Sequence, residues 1–348
     1  MDLFFIDAPL DPDERESSLA RKHKMMARGY ADLVYRDPFD GMANELTGVG
    51  SGTVRLEVEP WLLPTPPDSM SFMLTVENFV AFVDSNGCLE YARRAGELVR
   101  QNLPRIPVIF GVDHSLTGGA VEAIAKEVGG ESLRLIIFDS HFDFILPTIR
   151  CGLIQYDLET NPATKFSKND PFIFNRPDSY NADSFLYYLL GRVPHENIYI
   201  VGVSDYPPRE AEEIDDERVS RYVDFYKGIE ASGVHVLTKE KILKKPREVR
   251  ELLSSTALPY TYLSVDVDVC SNTSIRGARF LDYHGISHSD LYDLVASVRK
   301  SFAHSKLVGL DFMEFDVYSA GAVHAGKQDR TYPIMAEAFR RLVQPHYL

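Results

Sequence analysis

The sequence predicts an α/β protein, a three-layer αβα sandwich around a mostly parallel central sheet. Three observations carry that prediction. The apolar runs at 106–110, 133–138 and 262–265 are short and nearly continuous, as strands buried on both faces are. Segments with helical spacing of apolar residues alternate with such runs along the whole chain, the pattern of parallel strands joined by crossover helices. Chemically capable side chains gather just past the runs, where open α/β sheets place their ligands.

The elements follow in order. Residues 3–6 read as a first strand and 18–26 as a charged helix. The stretch 60–69 holds Pro60, Pro64, Pro66 and Pro67, which rules out a central element. A helix over 88–103 feeds the strand at 106–111, and 117–128 is helical with Ser115 or Thr117 available as N-cap. After the strand 133–138, residues 153–195 form a long polar and aromatic stretch, expected to be an insertion or lid with a short helix around 182–190. A strand at 198–203, a charged helix near 209–221, a strand at 234–237 and a helix at 244–254 come next. Ser287 and Asp290 make a capping box for a helix to about Phe302. The strand 307–312 and the helix 333–343 end the chain. No internal repeat is visible, so residues 1–348 are expected to form one domain.

Composition excludes several classes. With 45% hydrophobic and 25% charged residues the chain is an ordinary globular protein, and its net charge of -14 disfavours nucleic acid and anionic membrane as partners. No stretch approaches the ~20 apolar residues of a membrane span, and the N-terminus lacks the basic leader of a signal peptide. Three cysteines, Cys88, Cys151 and Cys270, make a poor disulfide framework, so reduced thiols in the cytoplasm are expected. Cys270, two residues past Asp268, reads as a small buried hydrophobe.

Six potential metal ligands sit at three strand ends: His114, then Asp139, His141 and Asp143, then Asp266 and Asp268. Carboxylates two apart after an apolar strand repel one another unless a cation neutralises them. Two nitrogens among many oxygens suit Mn²⁺ better than a tetrahedral structural zinc, and six ligands exceed the needs of one ion. Two Mn²⁺ per chain are therefore expected.

Here the sequence resembles the arginase and agmatinase family of ureohydrolases. Gly111-Val112-Asp113-His114-Ser115, Asp139-Ser140-His141-Phe142-Asp143, Ser264-Val265-Asp266-Val267-Asp268 and Gly309-Leu310-Asp311-Phe312-Met313-Glu314 are similar to its four signatures. The resemblance covers roughly residues 104–345. It implies one Mn²⁺ held by His114, Asp139, Asp143 and Asp266, and another by Asp139, His141, Asp266 and Asp268. It also implies hydrolysis of a C–N bond in a small cationic guanidino or amidino substrate, with Glu314 pairing with the cation and Asp143 moving a proton. Trimers or hexamers of the chain are implied as well.

Departures from the family bear on the substrate. Ser271-Asn272 and Arg276-Gly277 replace Asp-Pro and Pro-Gly, and Val112 replaces a glycine. The stretch Thr148-Ile149-Arg150-Cys151-Gly152 lacks the histidine that the family places in its loop, and Asp205-Tyr206-Pro207-Pro208 lacks a second aspartate. These changes point away from L-arginine, with Arg150 available for a substrate carboxylate and Asp205 for substrate contact. The rival readings are a non-catalytic metal- or guanidino-binding relative and a metal-dependent amide hydrolase or deacetylase on the same fold.

Overall fold

A computed structural model describes residues 1–46, 52–281 and 285–344. The elements are β1 (Leu3–Ala8), α1 (Glu16–Met26), α2 (Pro38–Glu45), β2 (Thr53–Arg55), α3 (Val76–Asp84), α4 (Gly87–Asn102), β3 (Ile106–Gly111), α5 (Leu116–Val128), β4 (Leu133–Phe138), α6 (Pro147–Thr160), α7 (Phe185–Leu189), β5 (Ile198–Val203), α8 (Glu217–Ala231), β6 (His235–Thr238), α9 (Lys239–Lys244), α10 (Pro246–Ser254), β7 (Tyr260–Asp266), α11 (His288–Ser301), β8 (Lys306–Met313), a small hairpin of β9 (Val323–His324) and β10 (Lys327–Gln328), and α12 (Thr331–Val343). Strands β1 to β8 form one sheet in the order β2-β1-β3-β8-β7-β4-β5-β6, and every pairing in it is parallel.

Alternating side chains of the buried strands feed two cores. Ile109, Leu135 and Ile137 pack on the face covered by α1, α3, α4, α5, α7 and α8. Val108, Phe110, Ile136 and Phe138 pack on the face covered by α2, α9, α10, α11 and α12. Burial at ~25 cal/mol per Å² of apolar surface is the main force holding the layers together. Arg134, wholly buried within β4, donates to the carbonyls of Leu252 and Leu253 at 2.9 and 3.0 Å and so satisfies the end of α10.

One topological feature places the site. β3 and β4 are consecutive strands in sequence, yet β8 and β7 lie between them. The carboxyl ends of β3, β8, β7 and β4 thus stand side by side, at the reversal of winding where such sheets open a crevice.

Some local expectations are corrected. Residues 148–152, comparable to a family loop, lie in α6, which Pro147 starts at a position where a missing N–H costs nothing. The charged helix begins at Glu217 rather than near 209, after a single 3-10 turn over Arg209–Glu213. Ser115 makes no side-chain cap for α5: its backbone is already helical, and its hydroxyl donates to Asp113. In segment 153–195, α6 occupies the start, and the short helix expected around 182–190 is α7, with Phe185, Leu186 and Leu189 buried.

Candidate metal centre

His114, Asp139, His141, Asp143, Asp266 and Asp268 converge at the crevice. His114 Nδ1 lies 3.1 Å from Asp139 Oδ2, 3.0 Å from Asp143 Oδ2 and 3.2 Å from Asp266 Oδ2. His141 Nδ1 lies 3.0 Å from Asp268 Oδ2 and 3.6 Å from Asp139 Oδ1. Two trios have their ligand atoms within 4.8 Å of one another, His114 with Asp139 and Asp266, and Asp139 with His141 and Asp268. Asp139 belongs to both.

Short local bonds aim these groups. The second oxygens of Asp139 and Asp266 accept the backbone N–H of His141 and Asp268, each at 2.7 Å, which turns the remaining oxygens toward the centre. Ser140 Oγ donates to Asp268 Oδ1 at 2.8 Å. Asp143 and Glu314 both hold left-handed backbone, with φ of 52° and 65°, a conformation that non-glycine residues keep only where the surroundings impose it. Gly202 lets β5 press against the trio loop: at φ 117°, a Cβ there would meet the Asp139 carbonyl at 2.7 Å.

The residues fit a pair of cations. Ser264 lies opposite Asp311 across the β7–β8 ladder and donates its hydroxyl to it, so the Ser264 oxygen receives the Nε2–H of His114 at 2.8 Å. His114 Nδ1 is then a bare acceptor facing three carboxylate oxygens. His114 Nδ1, Asp139 Oδ2 and Asp268 Oδ2 are buried without a hydrogen-bond partner. Burial and the neighbouring Asp139 push Asp143 up from the usual carboxylate range, and burial with Asp268 does the same to Asp266. Acceptors crowded in this way need positive charge between them.

Sequence reasoning missed several contributors. Asp311, wholly buried, accepts from Thr117 Oγ1 at 3.0 Å, Tyr262 OH at 2.7 Å and Ser264, and so anchors the chain that orients His114. An aspartate inside an apolar strand was its signal. Phe185 of α7 sets its ring 4.9 Å from that of His114. Arg279 is buried, bonded to Asp11 and close to Asp13, Asp113 and Glu314, whose charges hold its guanidinium protonated against burial. No spacing in the sequence links residue 279 to residue 11.

The other expected residues sit around this centre. Glu314 is buried; its Oε1 accepts the backbone N–H of His114 at 3.0 Å, while Oε2 has no hydrogen-bond partner. Burial pushes its carboxyl up, with Arg279 opposing. Asp205 follows β5; its Oδ2 accepts from Tyr226 at 2.8 Å, its Oδ1 is buried and unpartnered, and burial pushes it up to about 6. Arg150, in the first turn of α6, pairs with Asp183. Among the ligand candidates His141 alone is appreciably open, at 26% of its side chain against 7% or less for the others, and Phe280 stands edge-on to it.

Comparison with known proteins agrees with this layout. The profile of the Arginase family matches residues 73–322, and the chain belongs to that family. No curated protein matches it in sequence. Its fold is similar to that of arginase from Bacillus subtilis, with 16% identity, all of both chains covered and a TM-score of 0.59. Proclavaminate amidino hydrolase from Streptomyces clavuligerus is 18% identical, with 98% of this chain and 90% of that one covered and a TM-score of 0.56. Formimidoylglutamase from Bacillus subtilis is 13% identical, with 99% and 87% covered and a TM-score of 0.56. The three names differ in substrate, so the likeness speaks for the fold alone.

Proposed function

We propose that the chain is a hydrolase of C–N bonds in a guanidino or amidino compound, dependent on two Mn²⁺ and acting on a substrate other than L-arginine. The observation that carries this is the pair of carboxylate–histidine trios sharing Asp139. His114, Asp139, Asp143 and Asp266 would hold one ion, and Asp139, His141, Asp266 and Asp268 the other. Such a pair, when bound, makes a water molecule acidic enough to act near neutral pH. Asp143 would take the proton released and return it to the departing nitrogen. Glu314, with Oε2 unpartnered, is disposed to accept N–H bonds from a planar cation, and Asp205 Oδ1 is a second such acceptor.

Pro207 and Pro208 offer no charge for an amino acid's ammonium group, which argues against arginine itself. With residues 148–152 in a helix that holds no histidine, protonation of the leaving amine falls to Asp143 and solvent. We also propose a cytoplasmic homo-oligomer, a trimer or hexamer, with segment 153–195 closing one side of the site. No helix among the described residues is long and apolar enough to cross a membrane. The test is a panel of guanidino and amidino compounds scored for urea and ammonia with Mn²⁺ present. At least one should be turned over faster than L-arginine, and Asp268→Ala should lower that rate by about 100-fold or more. Fastest release from L-arginine would overturn the substrate assignment, and an unchanged Asp268→Ala rate would overturn the role of the second ion.

A further inference from the structure

We propose that the substrate carries a carboxylate, and that Arg150 receives it in exchange for Asp183. This rests on the reading of the centre as a site for an amidino group. Arg150 stands seven residues beyond Asp143, in the first turn of α6. Asp183 stands two residues before Phe185, whose ring covers His114. The backbone N–H of Leu186 donates to the Asp143 carbonyl at 3.1 Å, and Tyr180 OH donates to the Ser115 carbonyl at 2.5 Å. Both partners of the Arg150–Asp183 pair are therefore carried by segments fastened to the metal loops, and the pair lies at the rim of the centre.

The exposures decide what that pair can do. The Arg150 side chain is 51% exposed and that of Asp183 38%. An ion pair so open to water adds a factor of about five at most to an equilibrium. Asp183 is then a weak occupant that returns to solvent at little cost. A ligand carboxylate tethered to a group on the metals meets the same guanidinium without that competition, and a two-pronged arginine–carboxylate contact is among the stronger polar pairs.

Charge complementarity points the same way. Glu314 Oε2 and Asp205 Oδ1 are buried acceptors that await donors, while the arginine at the rim holds a replaceable anion. That layout suits a molecule cationic at one end and anionic at the other. A plain alkylguanidinium would leave Arg150 unused.

The test uses metal-loaded full-length protein and matched probes. Guanidinoacetate, guanidinopropionate and guanidinobutyrate are each compared with the alkylguanidine that lacks the carboxylate, by calorimetric binding and by KM and kcat. At least one acid should bind about tenfold more tightly than its counterpart. Arg150→Gln should erase that preference through KM, and Asp183→Asn should tighten binding of the acid by up to about fivefold. Equal binding of acids and alkylguanidines, a preference that survives Arg150→Gln, or no binding by the series overturns the proposal. If the acids bind through Arg150 but none is hydrolysed, the hydrolase reading fails and this one stands. If urea is released with KM indifferent to both substitutions, the reverse holds.

Discussion

His114 shows how far a single residue is determined by groups that never touch the substrate. Its Nε2–H is committed to Ser264, Ser264 is committed to Asp311, and Asp311 is held by the hydroxyls of Tyr262 and Thr117. The imidazole is left with one tautomer and one orientation, its Nδ1 facing the carboxylates. Asp311 is thus a positioning residue. Asp311→Asn should weaken Mn²⁺ binding by about 10- to 100-fold, measured by competition with a chelator, and Ser264→Ala should shift it in the same direction. Unchanged affinity in both variants would remove Asp311 from the site. The six ligand candidates were legible in the sequence because each lies within five residues of the end of an apolar run. Asp311 and Arg279 were not legible in their roles, since these arise from cross-strand register and from a contact between residues 11 and 279.

At the scale of elements, the buried strands were legible because continuous apolar runs have one comfortable home, a parallel sheet covered on both faces. The capping box at Ser287 and Asp290 was legible for an equally local reason and is formed as expected. Helix α6 was not, because its apolar and polar residues show almost no helical segregation and only Ile149 and Leu158 are buried. The short helix expected around 182–190 is present as α7, and three of its residues belong to the core. The bulge in β5 also escaped notice, since the register shift between Val201 and Val203 leaves no mark beyond a glycine. That glycine is decisive for the trio loop. Gly202→Ala should cost about 1–3 kcal/mol in urea unfolding, because the added Cβ meets the Asp139 carbonyl and the φ of 117° suits no alanine. Wild-type stability in this variant would show that β5 and the Asp139 loop are not in close contact.

For the molecule as a whole, the sheet order matters more than any one element. Inserting β8 and β7 between β3 and β4 brings four strand ends, with ligands contributed from residues 114 to 268, to one crevice. Four buried carboxylates and two imidazoles crowd together with orphaned acceptors, an arrangement that costs folding stability and that bound cations would relieve. Family membership and fold agree with this account, while the proposed carboxylate subsite, Arg150 with Asp183, uses residues of this chain that the family's metal signatures do not include. The most direct measurement of the central claim is the metal content of the full chain, loaded with Mn²⁺, freed of excess metal and weighed by native mass spectrometry. The account predicts about two ions per chain, and about one in Asp268→Ala, in line with the two trios that share Asp139. A chain that retains no Mn²⁺, or a single ion unaffected by that substitution, would contradict it.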